Sequence, residues 1–135
     1  MASIPRPDER SEGRERALYL LYEADSKGIT PVEALDLQVL EPDEITQLLV
    51  RGVAEHRERL DAAIEQRATG WTLARMPVID LNVLRIGAFE LAERPDVPTA
   101  VVLDEAVGLV KQFSTDDSGR FVNGVLAALV AELRP

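Results

Sequence analysis

The stretch SGRFVNGVLAALVAEL, from Ser118 to Leu133, decides between two fold classes because it contains an Asn-Gly pair inside an apolar run. Asn123-Gly124 is the dipeptide most typical of a two-residue β-hairpin turn. A hairpin needs apolar and polar residues to alternate on both sides of the turn, and residues 125–130 do not alternate. The stretch is therefore predicted to be a helix, with an apolar stripe at helical spacing formed by Phe121, Val122, Val125, Leu126, Leu129, Val130 and Leu133.

Gly124 then lies inside a helix, where glycine costs about 1 kcal/mol relative to alanine. A common reason for such a glycine is the close approach of a neighbouring helix, which leaves no room for a Cβ atom. Asn123 and Gly124 are therefore interpreted as structural residues at a tight helix contact. Direct contact with a ligand is the alternative.

Helical patterns cover the rest of the chain after a flexible leader predicted for residues 1–10. Lys27 and Gly28 are typical of a helix end, and Thr30 with Glu33 forms a capping box that begins the next helix. Residues 43–70 form one long helix or two joined at a bend, with His56 at a helix boundary. No segment alternates, so the chain is predicted to be all-α, with about seven helices in one domain over residues 11–135.

Composition excludes several classes of function. The chain has no Cys and a single His, which argues against a transition-metal site, and no motif for a metal or a cofactor is present. No apolar run approaches a membrane span, and the N-terminus lacks the pattern of a signal peptide, so a cytoplasmic protein is expected. The formal net charge of −9 argues against non-specific attraction to nucleic acid.

Catalytic motifs are absent as well, since no phosphate-binding glycine loop, nucleophile elbow or zinc-protease motif occurs. A binding function is therefore expected rather than an enzyme. Glu90 and Glu105 lie within or beside apolar stripes, where a carboxylate is costly unless it is paired. Arg85 and Lys111, in the same two helices, are the predicted partners. These charges are interpreted as locking helix pairs together, with ligand contact as the alternative.

A dense set of motifs runs from residue 81 to residue 126. It comprises Leu84-Arg85, Phe89-Glu90-Leu91, Asp96-Val97-Pro98, Asp104-Glu105-Ala106-Val107, Lys111, Phe113 and Ser118–Leu126. In these motifs the chain resembles the NusB family of transcription antitermination factors. The segment RERALYLLYEAD, Arg14 to Asp25, is similar to the family's first helix. The resemblance covers nearly the whole chain except the leader and residues 29–42.

The resemblance implies two helical subdomains, of three and then about four helices, at roughly residues 11–70 and 71–135. It also implies a role without catalysis. NusB-like proteins bind the boxA segment of nascent RNA together with NusE, a small-subunit ribosomal protein. They thereby help RNA polymerase to read through terminators, notably in ribosomal RNA operons. Family members occur as monomers and as homodimers, so the oligomeric state stays open.

The resemblance also implies site residues. Positions that meet RNA in the family correspond to Arg10, Arg14 and Arg16 near the start of the first helix, and to Asp117 and Phe121 at the start of the last. Positions that face NusE correspond to Tyr22 and Asp80. An aromatic side chain can stack on an unpaired base, and a carboxylate can accept a hydrogen bond from a base amino group. Phe121 also fits the apolar stripe, and Asp117 also fits a helix cap, so both have a structural alternative.

The sequence departs from the family pattern where RNA binding begins. The family's first helix is preceded by a run of Arg and Lys, whereas residues 6–16, RPDERSEGRER, carry four arginines against four acidic residues. Each missing phosphate contact removes part of the electrostatic contribution to RNA binding. Asp104 also stands where the family has Asn. A second hypothesis is therefore a protein-protein adaptor of NusB ancestry in which RNA contact has weakened.

Overall fold

The computed structural model describes the backbone of residues 7–135 and the side chains from residue 10 onward. The described residues form seven α-helices, one short 3-10 turn at Leu73–Arg75 and no β-strand. The all-α prediction is confirmed. The helices are α1 (Pro7–Lys27), α2 (Pro31–Asp36), α3 (Glu44–Glu55), α4 (Arg57–Arg67), α5 (Val78–Glu93), α6 (Thr99–Phe113) and α7 (Asp116–Leu133).

Helix boundaries follow local chemistry. Gly28 has a φ of 68°, the left-handed conformation that ends α1. The Thr30 hydroxyl accepts a hydrogen bond from the Glu33 backbone N–H at 3.1 Å and so begins α2. His56 lies at the break between α3 and α4, with φ −102° and ψ 13°, which confirms its boundary position. Helix α1 begins at Pro7, so residues 7–10 of the expected flexible leader are helical, and residues 1–6 lie outside the described residues.

Helix α5 is the centre of the fold. Every residue from Asp80 to Leu91 is buried, and the helix contacts α1, α3, α4, α6 and α7. Helices α1, α2 and α3 pack against one another, whereas α4 packs chiefly against α5 and α7. The expected division into two subdomains, at roughly residues 11–70 and 71–135, stays a prediction.

The charged side chains inside this core are paired, but with other partners than the sequence suggested. Glu90 accepts two hydrogen bonds from the Arg14 guanidinium, at 2.7 and 2.9 Å, and so joins α5 to α1. Arg85 pairs with Asp61 of α4 through two bonds, at 2.7 and 3.0 Å. The predicted pairing of Glu90 with Arg85 is therefore wrong. Residues five apart on one helix point to different sides of it, whereas residues three or four apart are neighbours. Glu90 and Arg85 therefore face different neighbouring helices.

Glu105 and Lys111 also differ from expectation. Glu105 lies 3.6 Å from the Arg14 guanidinium and accepts a hydrogen bond from the Ser11 hydroxyl at 2.5 Å. Lys111 forms no ion pair among the described side chains, and its aliphatic stem covers Gly119. Glu105 therefore locks α6 to α1, as its structural interpretation requires, whereas Lys111 is an exposed cation.

The last turn of α5 is held by Arg134, which follows α7. Its guanidinium donates hydrogen bonds to four backbone carbonyls at and just beyond that helix end, at 2.6–3.2 Å. Carbonyl groups at a helix C-terminus have no partner within the helix, so one side chain satisfies several of them at once. The carbonyls belong to Glu90, Leu91, Arg94 and Val97.

Gly124 does not lie at a tight helix contact. A Cβ atom built there would meet nothing within 4 Å, and both Asn123 and Gly124 are exposed. The structural interpretation of this pair is therefore wrong, because the stripe of α7 that packs inward runs through the neighbouring residues Val122 and Val125. Tight contacts occur at other glycines, and the closest among the described residues is at Gly52 of α3, where a Cβ would collide with three atoms of the buried Phe89 ring.

Two glycine substitutions should therefore have opposite effects on stability. Gly52→Ala should lower the free energy of unfolding by about 1–3 kcal/mol, because the Phe89 ring must move within a packed core. Gly124→Ala should raise it by up to about 1 kcal/mol, because the exposed helix gains propensity without a clash. Urea unfolding followed by circular dichroism measures both, and a destabilised Gly124→Ala would restore the close-contact interpretation.

Candidate nucleic-acid interface

A pocket of about 330 Å³ lies where the connection from α4 to α5 meets the start of α7. Two of its lining residues, Asp117 and Phe121, are the α7 residues that the family resemblance assigned to RNA. The start of α7 is fixed by Thr115, whose hydroxyl accepts a hydrogen bond from the Ser118 backbone N–H at 3.2 Å. The remaining lining residues are Trp71, Pro77, Asp80, Thr115 and Ser118.

Two aromatic rings form the apolar wall of this pocket. The centroids of Trp71 and Phe121 are 5.9 Å apart and their planes are inclined by 56°. Trp71 is 47% exposed, which is high for the largest side chain in the sequence. Sequence reasoning missed Trp71, although it is the only tryptophan and stands in a polar connection just after Gly70. An exposed aromatic pair of this kind offers a stacking surface.

Asp80 lies at the base of the same pocket and is only 2% exposed. One carboxylate oxygen accepts a hydrogen bond from the Ser118 hydroxyl at 2.7 Å, and the other has no hydrogen-bond partner among the described residues. This position corrects the prediction that Asp80 faces a protein partner. The first turn of α5 packs against α7, so the carboxylate is turned inward.

Asp117 remains accessible. Its side chain is 89% exposed and accepts a hydrogen bond from Arg120 at 2.8 Å, a surface pair that costs little to break. Phe121 is partly buried, since one side of its ring packs against the core. The structure thus brings Asp117 and Phe121 to one pocket, and their contact with RNA stays a prediction.

The three arginines of α1 do not share one environment. Arg14 is 2% exposed and is held by Glu90 and Glu105, so its side chain is inaccessible to RNA. Burial opposes the charge of Arg14, but the hydrogen bonds and negative charge of Glu90, with the charge of Glu105, outweigh it and raise its pKa. The prediction that Arg14 contacts RNA is corrected on this ground.

Arg10 and Arg16 stay accessible, partly and fully respectively. Arg16 lines a different groove from the aromatic pocket, beside Glu12 and Glu15. Tyr22, the predicted contact for the protein partner, is 44% exposed on α1. No hydrogen bond or ion pair engages these three side chains among the described residues.

Other site chemistries find no support in the part of the chain that is described. No group of three or more His, Asp or Glu residues there could hold a metal ion. No helix there has the length and apolar character needed to cross a membrane.

Comparison with known proteins assigns the family. The model of the NusB family matches residues 11–131 of this chain. The chain belongs to the NusB family. It is 52% identical over 126 residues to the transcription antitermination protein NusB of Saccharopolyspora erythraea, covering 89% of this chain and 85% of that protein. The NusB protein of a Nocardioides species is 46% identical over 125 residues, covering 90% of this chain and 93% of that protein.

Solved NusB structures share the fold. NusB of T. maritima superposes with a TM-score of 0.84 at 28% identity, over 99% of this chain and 96% of that one. A second match is a crystal structure of the antitermination factors NusB and NusE in complex with double-stranded RNA. It has a TM-score of 0.79 at 28% identity, over 91% of this chain and 96% of the matched chain.

The contrast between the buried Arg14 and the exposed Arg16 on α1 can be tested by substitution. Arg14→Gln should lower the free energy of unfolding by about 3–5 kcal/mol, because it leaves the Glu90 carboxylate buried without its main partner. Arg16→Gln should change it by no more than about 0.5 kcal/mol, because Arg16 is exposed. Urea unfolding of both variants makes the comparison, and equal effects would mean that Arg14 is not buried as described.

Proposed function

We propose that this chain is a transcription antitermination factor that binds boxA-type single-stranded RNA together with NusE and supports transcription of ribosomal RNA operons. It acts without catalysis or a cofactor, within the RNA polymerase antitermination complex in the cytoplasm. Family membership supports the class of function, and the names of its relatives carry the same activity. A related NusB in complex with NusE and double-stranded RNA supports NusE and RNA as the classes of partner.

The observation that carries RNA binding is the aromatic pocket at the start of α7. Trp71 and Phe121 are close together and accessible, beside an exposed carboxylate. Bases in a duplex are stacked on one another, whereas an unpaired base can leave the stack and lie on an aromatic ring. The pocket therefore suits a single-stranded segment better than a duplex.

The polar groups around the rings suit base edges. Asp117 can accept a hydrogen bond from a base amino group once its exposed pair with Arg120 opens. Asp80 acts through Ser118, because their hydrogen bond fixes the turn of α7 that carries Asp117. We therefore assign Asp80 to positioning of the RNA pocket. Arg10 and Arg16 are the described α1 cations that can reach phosphate.

NusE is the proposed partner of the surface around Tyr22. This tyrosine lies one helical turn before Asp25, whose carboxylate accepts a hydrogen bond from Asn82 at 2.9 Å. This hydrogen bond joins α1 to α5 one turn after Tyr22, so the tyrosine lies on a part of α1 that is held in place. A large aromatic side chain on a rigid surface is typical of an interface hot spot.

The adaptor hypothesis also has an observation in its favour. Arg14 is buried, and Glu12 and Glu15 lie beside Arg16. The α1 surface therefore offers few free cations for phosphate, and the chain carries a formal net charge of −9. The affinity of this chain for RNA should accordingly be weak in the absence of NusE. Tight RNA binding should require the complex of this chain with NusE.

Fluorescence anisotropy of labelled boxA-type RNA tests the pocket, with NusE present and absent. Trp71→Leu and Phe121→Leu keep an apolar side chain, although a smaller one, and remove the stacking surface. Each should weaken binding to the joint complex by roughly 5- to 150-fold, the value of about 1–3 kcal/mol per stacked base. Val101→Leu, on exposed α6, is the matched control and should leave affinity within about twofold.

A duplex of the same sequence is the second probe. It should bind less tightly and should not respond to the two aromatic substitutions, because its bases are not free to stack. If both aromatic variants bind the single strand as wild type does, RNA does not use this pocket. If NusE binds but neither the single-stranded nor the duplex RNA binds, the adaptor hypothesis replaces the proposal.

A further inference from the structure

A cluster of apolar side chains stands in solvent between α2 and α3. Leu37, Val39 and Leu40 are 61%, 99% and 80% exposed. The neighbouring chain is ordered by hydrogen bonds, since the Gln38 side chain donates to the Ala34 carbonyl at 3.0 Å. Three large apolar residues within four positions, held outward by an ordered segment, are typical of a surface that a partner covers.

Two neighbouring pockets lie beside this cluster. One, of about 400 Å³, follows α1 past Tyr19 and Leu20, and the other, of about 240 Å³, follows the connection from α2 to α3 past Val39. Gln38 lines both pockets. We call the two pockets together the acidic groove. Tyr19, which lines the part of the acidic groove along α1, is 51% exposed and adds aromatic surface to it.

The rim of the acidic groove is strongly negative. Five carboxylates and two guanidinium groups line it, a formal charge of −3. Glu23 is partly neutralised by Lys27, and Glu15 accepts a hydrogen bond from the Tyr19 hydroxyl. Glu12, Asp36 and Glu41 form no ion pair with any other described side chain. These three charges are therefore free to meet cations from outside.

We propose that the acidic groove docks a cationic amphipathic segment of a partner protein, with apolar side chains on Val39 and Leu40 and Lys or Arg on the acidic rim. An amphipathic helix laid in a groove makes both kinds of contact at once. RNA is repelled by the rim. A second copy of this chain would bring two equally negative grooves together, which like charge opposes.

The acidic groove is distinct from the aromatic pocket of Trp71 and Phe121 and shares no lining residue with it. Arg16, which is proposed to reach RNA phosphate, is the one RNA-binding candidate that lines the groove. The tyrosine proposed for NusE, Tyr22, does not line it. The proposal therefore adds a third contact surface, and it stands even if RNA binding fails.

Three labelled peptides of 18 residues test it by fluorescence anisotropy against the full chain. The first is a helical design with a Leu face and a Lys face, the second replaces Leu by Ser, and the third replaces Lys by Glu. The first should bind at least tenfold more tightly than either of the others. Equal binding of the first two would show only general attraction to a negative protein and would overturn the proposal.

Paired variants then locate the contact. Val39→Ser with Leu40→Ser removes the apolar part, and Asp36→Asn with Glu41→Gln removes rim charge. Each pair should weaken binding of the first peptide at least tenfold, whereas Val101→Ser with Asp96→Asn, equally conservative changes near the start of α6, should leave it within twofold. Unchanged binding in both groove variants contradicts the proposal.

Folding and the other partners are checked on the same samples. All of the substituted groove residues are exposed, so melting temperatures should match wild type, and the charge variant gives an independent answer if the apolar variant melts early. Affinity for boxA-type RNA and for NusE should be unchanged. Loss of NusE binding in the groove variants would place NusE in the groove and overturn the assignment to a separate partner.

Discussion

Helix α5 is buried on every side, although Asp80, Arg85 and Glu90 on it are ionisable. A charge in such a place is costly unless another element supplies a partner. Arg14 of α1, Asp61 of α4 and Ser118 of α7 are those partners. Each helix that packs on α5 through a charge is therefore fixed in register as well as in position, because an ion pair or hydrogen bond tolerates less sliding than apolar contact does.

The same requirement separates residues that hold the fold from residues that can bind. Arg14 and Asp80 are turned inward by their partners, whereas Arg16, Tyr22, Asp117 and Trp71 remain accessible. Two residues that the family resemblance assigned to contacts thus act through the framework. In the proposed RNA site Asp80 has a positioning role, because its hydrogen bond with Ser118 joins α5 to the turn of α7 that carries Asp117.

Apolar periodicity and capping residues were sufficient to predict the helices, since both are local properties of the chain. The break at His56 and the cap at Thr30 were found in this way. The local sequence pattern does not show which helices pack together. The predicted partner of Glu90 and the predicted close helix contact at Gly124 are therefore wrong. The family motifs assign Asp117 and Phe121 to the start of the last helix. Trp71 comes from a distant connection, and only the packing of α4, α5 and α7 brings it beside them.

A double-mutant cycle between Arg14 and Glu90, measured by urea unfolding, tests most directly whether paired charge on α5 organises the fold. Arg14→Met and Glu90→Met each leave one buried charge without its partner, whereas the double variant leaves neither. The loss in the double variant should therefore be smaller than the sum of the single losses by about 2 kcal/mol or more. Losses that add within about 0.5 kcal/mol would contradict this view of α5.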